Sequence, residues 1–456
     1  MPESLRSFYS LPASLALLSS AFILCYILLT SDFHHRHLPD NSLILEKTAE
    51  YLRVNHRESP LPLGSPLNAT KQTVLAPSVP LLGFDGSNKQ PVAAMEWIVK
   101  HKLQKSTKGN DIGNNVFHNK KLFLEDYMEM KERFRIYVYP HKEDDPFANV
   151  LLPVKFEPYG NYASESYFKK LLTRSHFITK DPAEADLFFL PFSIARLRHD
   201  PRVDVQGIPD FVRSYISYIR RSYPYWNRTD GTDHFYVACH STGRSAMEKA
   251  GEVKFNVIQV VCSSSYYLTG YLPHKDVSLP QIWPRHGNLP QTTSLQRKRL
   301  AFFAGAINSP VRQKLIQEWG NDTEVAVHSG RISSSYADAL LQSKFCLHVK
   351  GFEVNTARIA DAIFHGCVPL LISNHYDLPF ADILEWRSFS MIVTTLDIPL
   401  LKEVLHEVSP DEYERLQRNV CRVRKHFQWH AEPVDYDAFY MVMYELWLRR
   451  SVTRVV

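Results

Sequence analysis

The stretch GFEVNTARIADAIFHGCVPLLIS, residues 351–373, carries the fold signal most clearly. A glycine turn leads into a short helical pattern, and a wholly apolar run follows it. Ile359, Ala362 and Ile363 fill one helix face, while Arg358 and Asp361 share the other. An uninterrupted apolar strand after a short helix is the mark of a parallel sheet covered on both faces. Arg358 in the first helical turn sits where the backbone dipole already attracts anions. Two explanations fit: a surface pair three residues apart, or a docking point for a negatively charged ligand.

The same alternation extends to both sides. Upstream come the strand-like RFRIYVY (133–139), the helical amphipath ASESYFKKLLTR (163–174) and the apolar run DLFFLPF (186–192). A helix through FVRSYISYIRRSY (211–223) and strands at HFYVAC (234–239) and NVIQVVC (256–262) complete a first set. A second set opens with RLAFFAG (299–305) and the helix SPVRQKLIQEW (309–319), which has proline in its first turn. EVAVH, the helix SSYADALLQS, FCLHV, the opening stretch and SFSMIVT continue it. The sequence therefore predicts an α/β protein with two doubly wound units, residues 131–285 and 297–433. A proline-rich hinge at 279–296 joins them, and a last helix in 434–456 crosses back toward the cleft. Two such units imply ligands at the carboxyl ends of the strands.

A chain of 456 residues has room for two domains and additional segments. Its 45% hydrophobic and 22% charged residues are ordinary globular values, and a net charge of +5 makes no case for nucleic acid. The basic run Arg415, Arg418, Arg422, Arg424 and Lys425 reads as the solvated face of an amphipathic helix. LPASLALLSSAFILCYILLT, residues 11–30, carries no charge and is long enough to cross a hydrocarbon core of ~30 Å. It is expected to be a signal-anchor, with residues 1–10 as a cytoplasmic tail and 31–130 as a stem. Six prolines from Pro60 through Pro91 suit that stem. Asn68, Asn227 and Asn321 open N-glycan acceptor triplets. Beyond Cys25 in the span, Cys239, Cys262, Cys346, Cys367 and Cys421 make an odd number. Cys239 and Cys262 fit either a bridge or two buried hydrophobes.

Hydrolase elbows, P-loops, His-Glu-x-x-His helices and dinucleotide fingerprints are all absent from the sequence. What remains suits a diphosphate. Gly305 precedes the helix carrying Arg312, and Lys350 with Gly351 precedes the helix carrying Arg358. Each places a cation beside a residue that permits close approach. Asp361, one turn beyond Arg358, is positioned to accept hydrogen bonds from ribose hydroxyls. The Asp435-Tyr-Asp437 triplet stands at a helix start and is expected to cap it, so no divalent ion is called for.

FRIYVYP (134–140), YASESYF (162–168), DPAEADLFFLPF (181–192), YPYWNRTDGTDHF (223–235), KDVSLP (275–280), RKRLAFFAG (297–305), KFCLHVKGFEV (344–354), AIFHGCVPLLIS (362–373) and YDLPFADILEW (376–386) together resemble the exostosin-type glycosyltransferases, within them the plant cell-wall branch. The resemblance runs in order over roughly residues 130 to 430. It implies the GT-B fold, with two Rossmann-like domains facing a cleft, and an inverting transfer from a nucleotide-diphosphate sugar to a polysaccharide. It also implies a single-pass Golgi membrane protein with a lumenal catalytic domain, and complexes with other glycosyltransferases. Arg358 matches the family arginine expected at the donor diphosphate, while Asp361 stands where the family usually has glutamate. HSTG (240–243) replaces a common His-Asp-Trp on the acceptor side.

An inverting transfer needs a general base. Asp233 and His234 are expected in that role, with Glu165 and Asp276 as the other carboxylates in matched blocks. Tyr223, Tyr225 and Trp226 are expected either to line the acceptor groove or to pack in the core. No cofactor is required beyond the nucleotide sugar. The competing expectation is a non-catalytic partner that keeps the fold and binds glycan or a sister transferase.

Overall fold

The computed structural model describes residues 116–453, apart from 268–269, 286–288, 291–296 and 333–334. The expected membrane span at 11–30, the stem prolines and Asn68 lie outside the described residues. Among the described residues, no helix is long and apolar enough to cross a membrane.

Six strands form the first sheet: β1 (Ile136–Val138), β2 (Ile178–Thr179), β3 (Leu187–Phe189), β4 (His234–Ala238), β5 (Ile258–Val261) and β6 (Val277–Ser278). Their order is β2-β1-β3-β4-β5-β6. The second sheet holds β7 (Arg299–Gly305), β8 (Val325–Ser329), β9 (Ser343–Val349), β10 (Val368–Ile372) and β11 (Met391–Val393), in the order β11-β10-β9-β7-β8. Every strand pairing is parallel. β4, β5 and β10 are buried at every position, as continuous apolar runs require when helices cover both faces. In that register Phe235 faces Ile258 and Val237 faces Val260, each such side chain contributing about 1.5–3 kcal/mol by leaving water.

Strand order locates the crevices. The chain leaves β7 toward β8 on one side and returns to β9 on the other, so a switch point lies between β7 and β9. Diverging connections leave open space there, at the carboxyl ends. Gly305 ends β7, and Lys350 and Gly351 follow β9.

Two features extend the fold beyond its sequence-based limits. Residues 120–130, expected in the stem, belong to a helix, Lys120–Arg133, with Phe123, Tyr127 and Met130 buried. Its apolar period is blurred because Leu122 and Met128 point outward. The C-terminal helix Ala438–Thr453 packs on it, on the helix Ala163–Leu172 and on β6, all belonging to the first half. Asp126 accepts hydrogen bonds from Tyr444 Oη at 2.9 Å and Trp447 Nε1 at 3.0 Å. Asp437 accepts from the Tyr440 and Val434 N–H groups at 3.1 and 3.0 Å, so this triplet caps the helix as expected.

The halves are tied along one edge. The Asp377 carboxylate accepts from Tyr266 Oη at 2.6 Å and Tyr271 Oη at 2.5 Å, and its carbonyl accepts from Ser264 and Ser278. Arg449 pairs with Asp382 at 2.8 Å and with Glu445 at 2.6 Å. Cys239–Cys262 joins the ends of β4 and β5. A second bridge, Cys346–Cys367, was not legible because both cysteines sit inside or beside apolar strand runs and pass for hydrophobes. Cys421 is free and exposed.

Burial, reinforced by Asp382 and Asp377, pushes the Glu445 carboxyl up to about 7 despite Arg449. A carboxyl raised in the fold contributes stability at low pH and loses it as pH climbs through the folded value. We expect the melting temperature of Glu445→Gln to decline less than that of the wild type between about pH 5 and pH 8. Parallel pH–melting curves for the two proteins contradict this.

Candidate active site

A cavity of about 820 Å3 lies between the carboxyl ends of the two sheets. Tyr162, Cys239 and His240 come from the first half, and Gly305, Arg312 and Arg358 come from the second. The arginines are its dominant feature. Arg358 donates through Nε and Nη2 to the Ala304 carbonyl at 3.0 and 2.8 Å. Arg312 donates to the Val349 carbonyl at 3.1 and 3.0 Å, to the Ala306 carbonyl at 3.1 Å and to Asn308 Oδ1 at 2.9 Å. Both guanidiniums sit over the Phe303 ring, 5.5 Å from its centroid for Arg312 and 5.2 Å for Arg358. Neither forms an ion pair with a carboxylate among the described residues. Burial, with Arg358 beside it, lowers Arg312 to about 10. Burial lowers the neighbouring His348 to about 3, so this imidazole is neutral between the cations.

The two glycines make room for these side chains. A Cβ on Gly351 would stand 2.8 Å from Asn308 Oδ1 and 3.0 Å from Arg312 Nη2. A Cβ on Gly305 would collide with the Arg358 guanidinium. Both glycines are therefore needed for the arginines to occupy these positions. The helix Arg358–Phe364 has only seven residues, so the positive charge is supplied by guanidiniums rather than by a helix end.

Asp361 does not form the surface pair with Arg358. It is buried, and Arg285 clamps its Oδ1 through Nε at 2.9 Å and Nη2 at 2.7 Å. Burial raises the Asp361 carboxyl, while Arg285 and Arg358 work against the rise. Arg285 belongs to the stretch read as a hinge, where nothing in the local pattern marks a ligand-facing residue. Lys350 also departs from expectation: its side chain lines a neighbouring cavity, and its carbonyl accepts from Ser309 Oγ at 2.8 Å.

The expected base and acceptor residues are not at the cavity. Asp233 and His234 stand at the amino end of β4, opposite the carboxyl ends that form the cleft. Asp233 binds Arg228 at 2.7 Å, Thr229 at 2.6 Å and His234 Nδ1 at 2.8 Å, while His234 Nε2 meets Tyr139 Oη at 2.7 Å. Burial pushes the Asp233 carboxyl up, but these partners outweigh it and leave it lowered. Burial lowers the fully enclosed His234 despite Asp233. Trp226 is buried beside the His234 ring at 4.8 Å, and Tyr225 stacks on Phe188 at 5.3 Å. Trp226 is core, Tyr225 is half-buried, and neither lines the cavity. Glu165 is enclosed and spent on Ser193 Oγ, Ala195 N–H and Cys239 N–H, at 2.6, 3.1 and 3.1 Å. Asp276 is likewise enclosed, accepting from the Gln259 and Leu272 N–H groups at 2.9 and 2.8 Å. Asn227 and Asn321 are exposed.

Among the polar residues missed as candidates that line the cavity are Glu353 and His240. His240 Nδ1 accepts the Thr242 backbone N–H at 3.0 Å. Burial, with Arg198 and His199 nearby, lowers this imidazole to about 4, so at neutral pH its single proton is on Nε2. It is therefore a hydrogen-bond donor in its resting tautomer.

Two parallel sheets thus face one cavity, with a buried and a half-buried arginine at the switch point of the second. Residues 130–408 match the Exostosin GT47 domain, and the chain belongs to this family of glycosyltransferases. A probable glycosyltransferase of Arabidopsis thaliana is 38% identical over 354 residues, covering 75% of this chain and 66% of the relative. A probable glucuronosyltransferase of Oryza sativa subsp. japonica is 26% identical over 308 residues, covering 62% of this chain and 72% of the relative. Among solved structures, S. aureus TarM overlaps 52% of this chain and 58% of its own at 8% identity, but its TM-score of 0.28 supports no inference.

Gly351→Ala is expected to displace Asn308 or the Arg312 guanidinium and lower affinity for inorganic pyrophosphate about tenfold, or 1.4 kcal/mol. Gly207→Ala, where the new methyl meets only Val203 at an ordinary 3.4 Å, serves as control. Equal calorimetric affinities for the two variants would remove the arginine cradle from the anion site.

Proposed function

We propose that the protein is a single-pass Golgi glycosyltransferase of the GT-B type that moves a sugar from a nucleoside-diphosphate donor to a cell-wall polysaccharide with inversion. One observation carries this proposal: two adjacent guanidiniums, Arg312 buried and Arg358 half-buried, with no carboxylate ion pair among the described residues, face a cavity large enough for a nucleotide sugar. Like charges held together repel, and a diphosphate relieves that repulsion while satisfying their remaining N–H groups. Arg285 takes only Oδ1 of Asp361, which leaves Oδ2 to a ribose hydroxyl. The rice relative named as a probable glucuronosyltransferase supports a plant polysaccharide as acceptor. The uncharged run at 11–30 supports the membrane anchor.

In the transfer, the acceptor oxygen bonds to the anomeric carbon as the bond from that carbon to the diphosphate oxygen breaks. The electron pair goes to the diphosphate, whose charge Arg312 and Arg358 stabilise. Glu353, on the cavity wall, takes the acceptor proton. His240 supplies an Nε2–H donor from the opposite half, since its Nδ1 is already occupied by Thr242.

With the full-length protein and a panel of nucleotide sugars, Arg358→Ala is expected to abolish transfer and weaken nucleotide binding. Glu353→Gln is expected to lower kcat about 10²–10⁴-fold while keeping nucleotide affinity. Wild-type turnover by Arg358→Ala removes the donor site from this cavity. Nucleotide binding without turnover for every donor favours the non-catalytic partner instead.

A further inference from the structure

Next to the main cavity lies a second one of about 410 Å3, within the size range of small-ligand sites. Ser241, Phe352 and Glu353 line both, so the two cavities adjoin at these residues. Its other walls come from carboxyl-end loops of both sheets, including Tyr267 after β5, Lys350 after β9 and Asn374 with His375 after β10. Phe352 is 82% exposed and Tyr267 is 80% exposed. Two bare aromatic rings at one groove are costly in water and need a partner to explain them.

The floor beneath them is rigid. Ser265 and Tyr376 form an antiparallel bridge across the two halves. Tyr266 N–H donates to the His375 carbonyl at 2.9 Å, and Asp377 N–H donates to the Ser264 carbonyl at 3.1 Å. His375 is held at a φ of +64°, a backbone conformation a non-glycine residue adopts only when its surroundings enforce it. Its ring lies 5.7 Å from that of Tyr267.

We propose that this groove is the acceptor subsite, taking an uncharged glycan chain whose sugar rings stack on Phe352 and Tyr267. The proposal rests on the donor assignment above, because a reacting hydroxyl at Glu353 leaves the rest of the acceptor chain to run past Phe352. Sugar rings present flat C–H faces that match exposed aromatic rings. Ser241, Ser245, Asn374 and Thr395 offer hydroxyl and amide partners for the ring hydroxyls. Among the described lining residues, the charges of Lys350 and Glu353 offset each other, which favours a neutral glycan over a polyuronide. It replaces the expected acceptor residues Tyr225 and Trp226, which line neither cavity.

The test uses the full-length protein and short oligosaccharides of xylan, mannan, β-glucan, galactan and arabinan, with an oligogalacturonide as the acidic arm. Binding is read by calorimetry, and UDP and GDP are titrated into the same samples. At least one neutral oligosaccharide is expected to bind, and Phe352→Ala and Tyr267→Ala are each expected to weaken it about tenfold or more. Tyr267→Phe and Phe352→Trp are expected to restore it, and Tyr267→Ala is expected to keep nucleotide affinity. Neutral-glycan affinity unchanged in both alanine variants overturns the subsite, as does a wild type that binds no neutral oligosaccharide or prefers the oligogalacturonide. Failure of the wild type to bind UDP or GDP is a separate result that overturns the donor assignment, and the glycan titrations still decide the groove.

Discussion

Two guanidiniums held side by side over one phenyl ring, with backbone carbonyls and an amide for company, are the constraint on which the site depends. The arrangement needs carbonyls at the ends of β7 and β9 that point away from the ladder, and the Ala304 and Val349 carbonyls provide them. It also needs residues without Cβ atoms at 305 and 351, since a methyl at either would meet a guanidinium. The strand order that separates β8 from β9 opens the space into which both arginines project. Residues that look independent in sequence thus serve one electrostatic object.

That object acts only against an opposite wall, which the first sheet supplies. The ties through Asp377, Arg449 and the C-terminal helix hold the two halves along one edge. His240 and Tyr162 are brought across from the arginines, and their own rings lie 4.5 Å apart. Enclosed Glu165 binds the Cys239 N–H immediately before His240, so a carboxylate that looked catalytic positions the loop instead. The disulfide from Cys239 to Cys262 fixes the same strand end from the other side.

The misplaced residues share a cause. Asp233, His234, Tyr225 and Trp226 form a dense cluster of functional residue types within a family-like block, yet they surround the amino end of β4. Direction along a strand is invisible to composition, but it separates the cleft from the far edge of the sheet. Arg285, Glu353 and the exposed Phe352 were missed for the opposite reason. They sit in loops with no periodic pattern, and their importance comes from partners far away in sequence, such as Asp361 for Arg285.

By itself, the sequence determined the parallel α/β class and the two successive α/β sets, and it singled out Gly305, Arg312, Gly351, Arg358 and Asp361, which line one cavity. Those properties are written in local hydrophobic period and in glycine–arginine spacing, which act over a few residues. Only the tertiary structure decided that Asp361 answers Arg285, that Lys350 leaves the main cavity and that the aromatic block lies away from it. Each of these depends on which strand end meets which loop across the sheets. Such meetings are set by strand order and the packing of the two halves, quantities that short-range patterns do not encode.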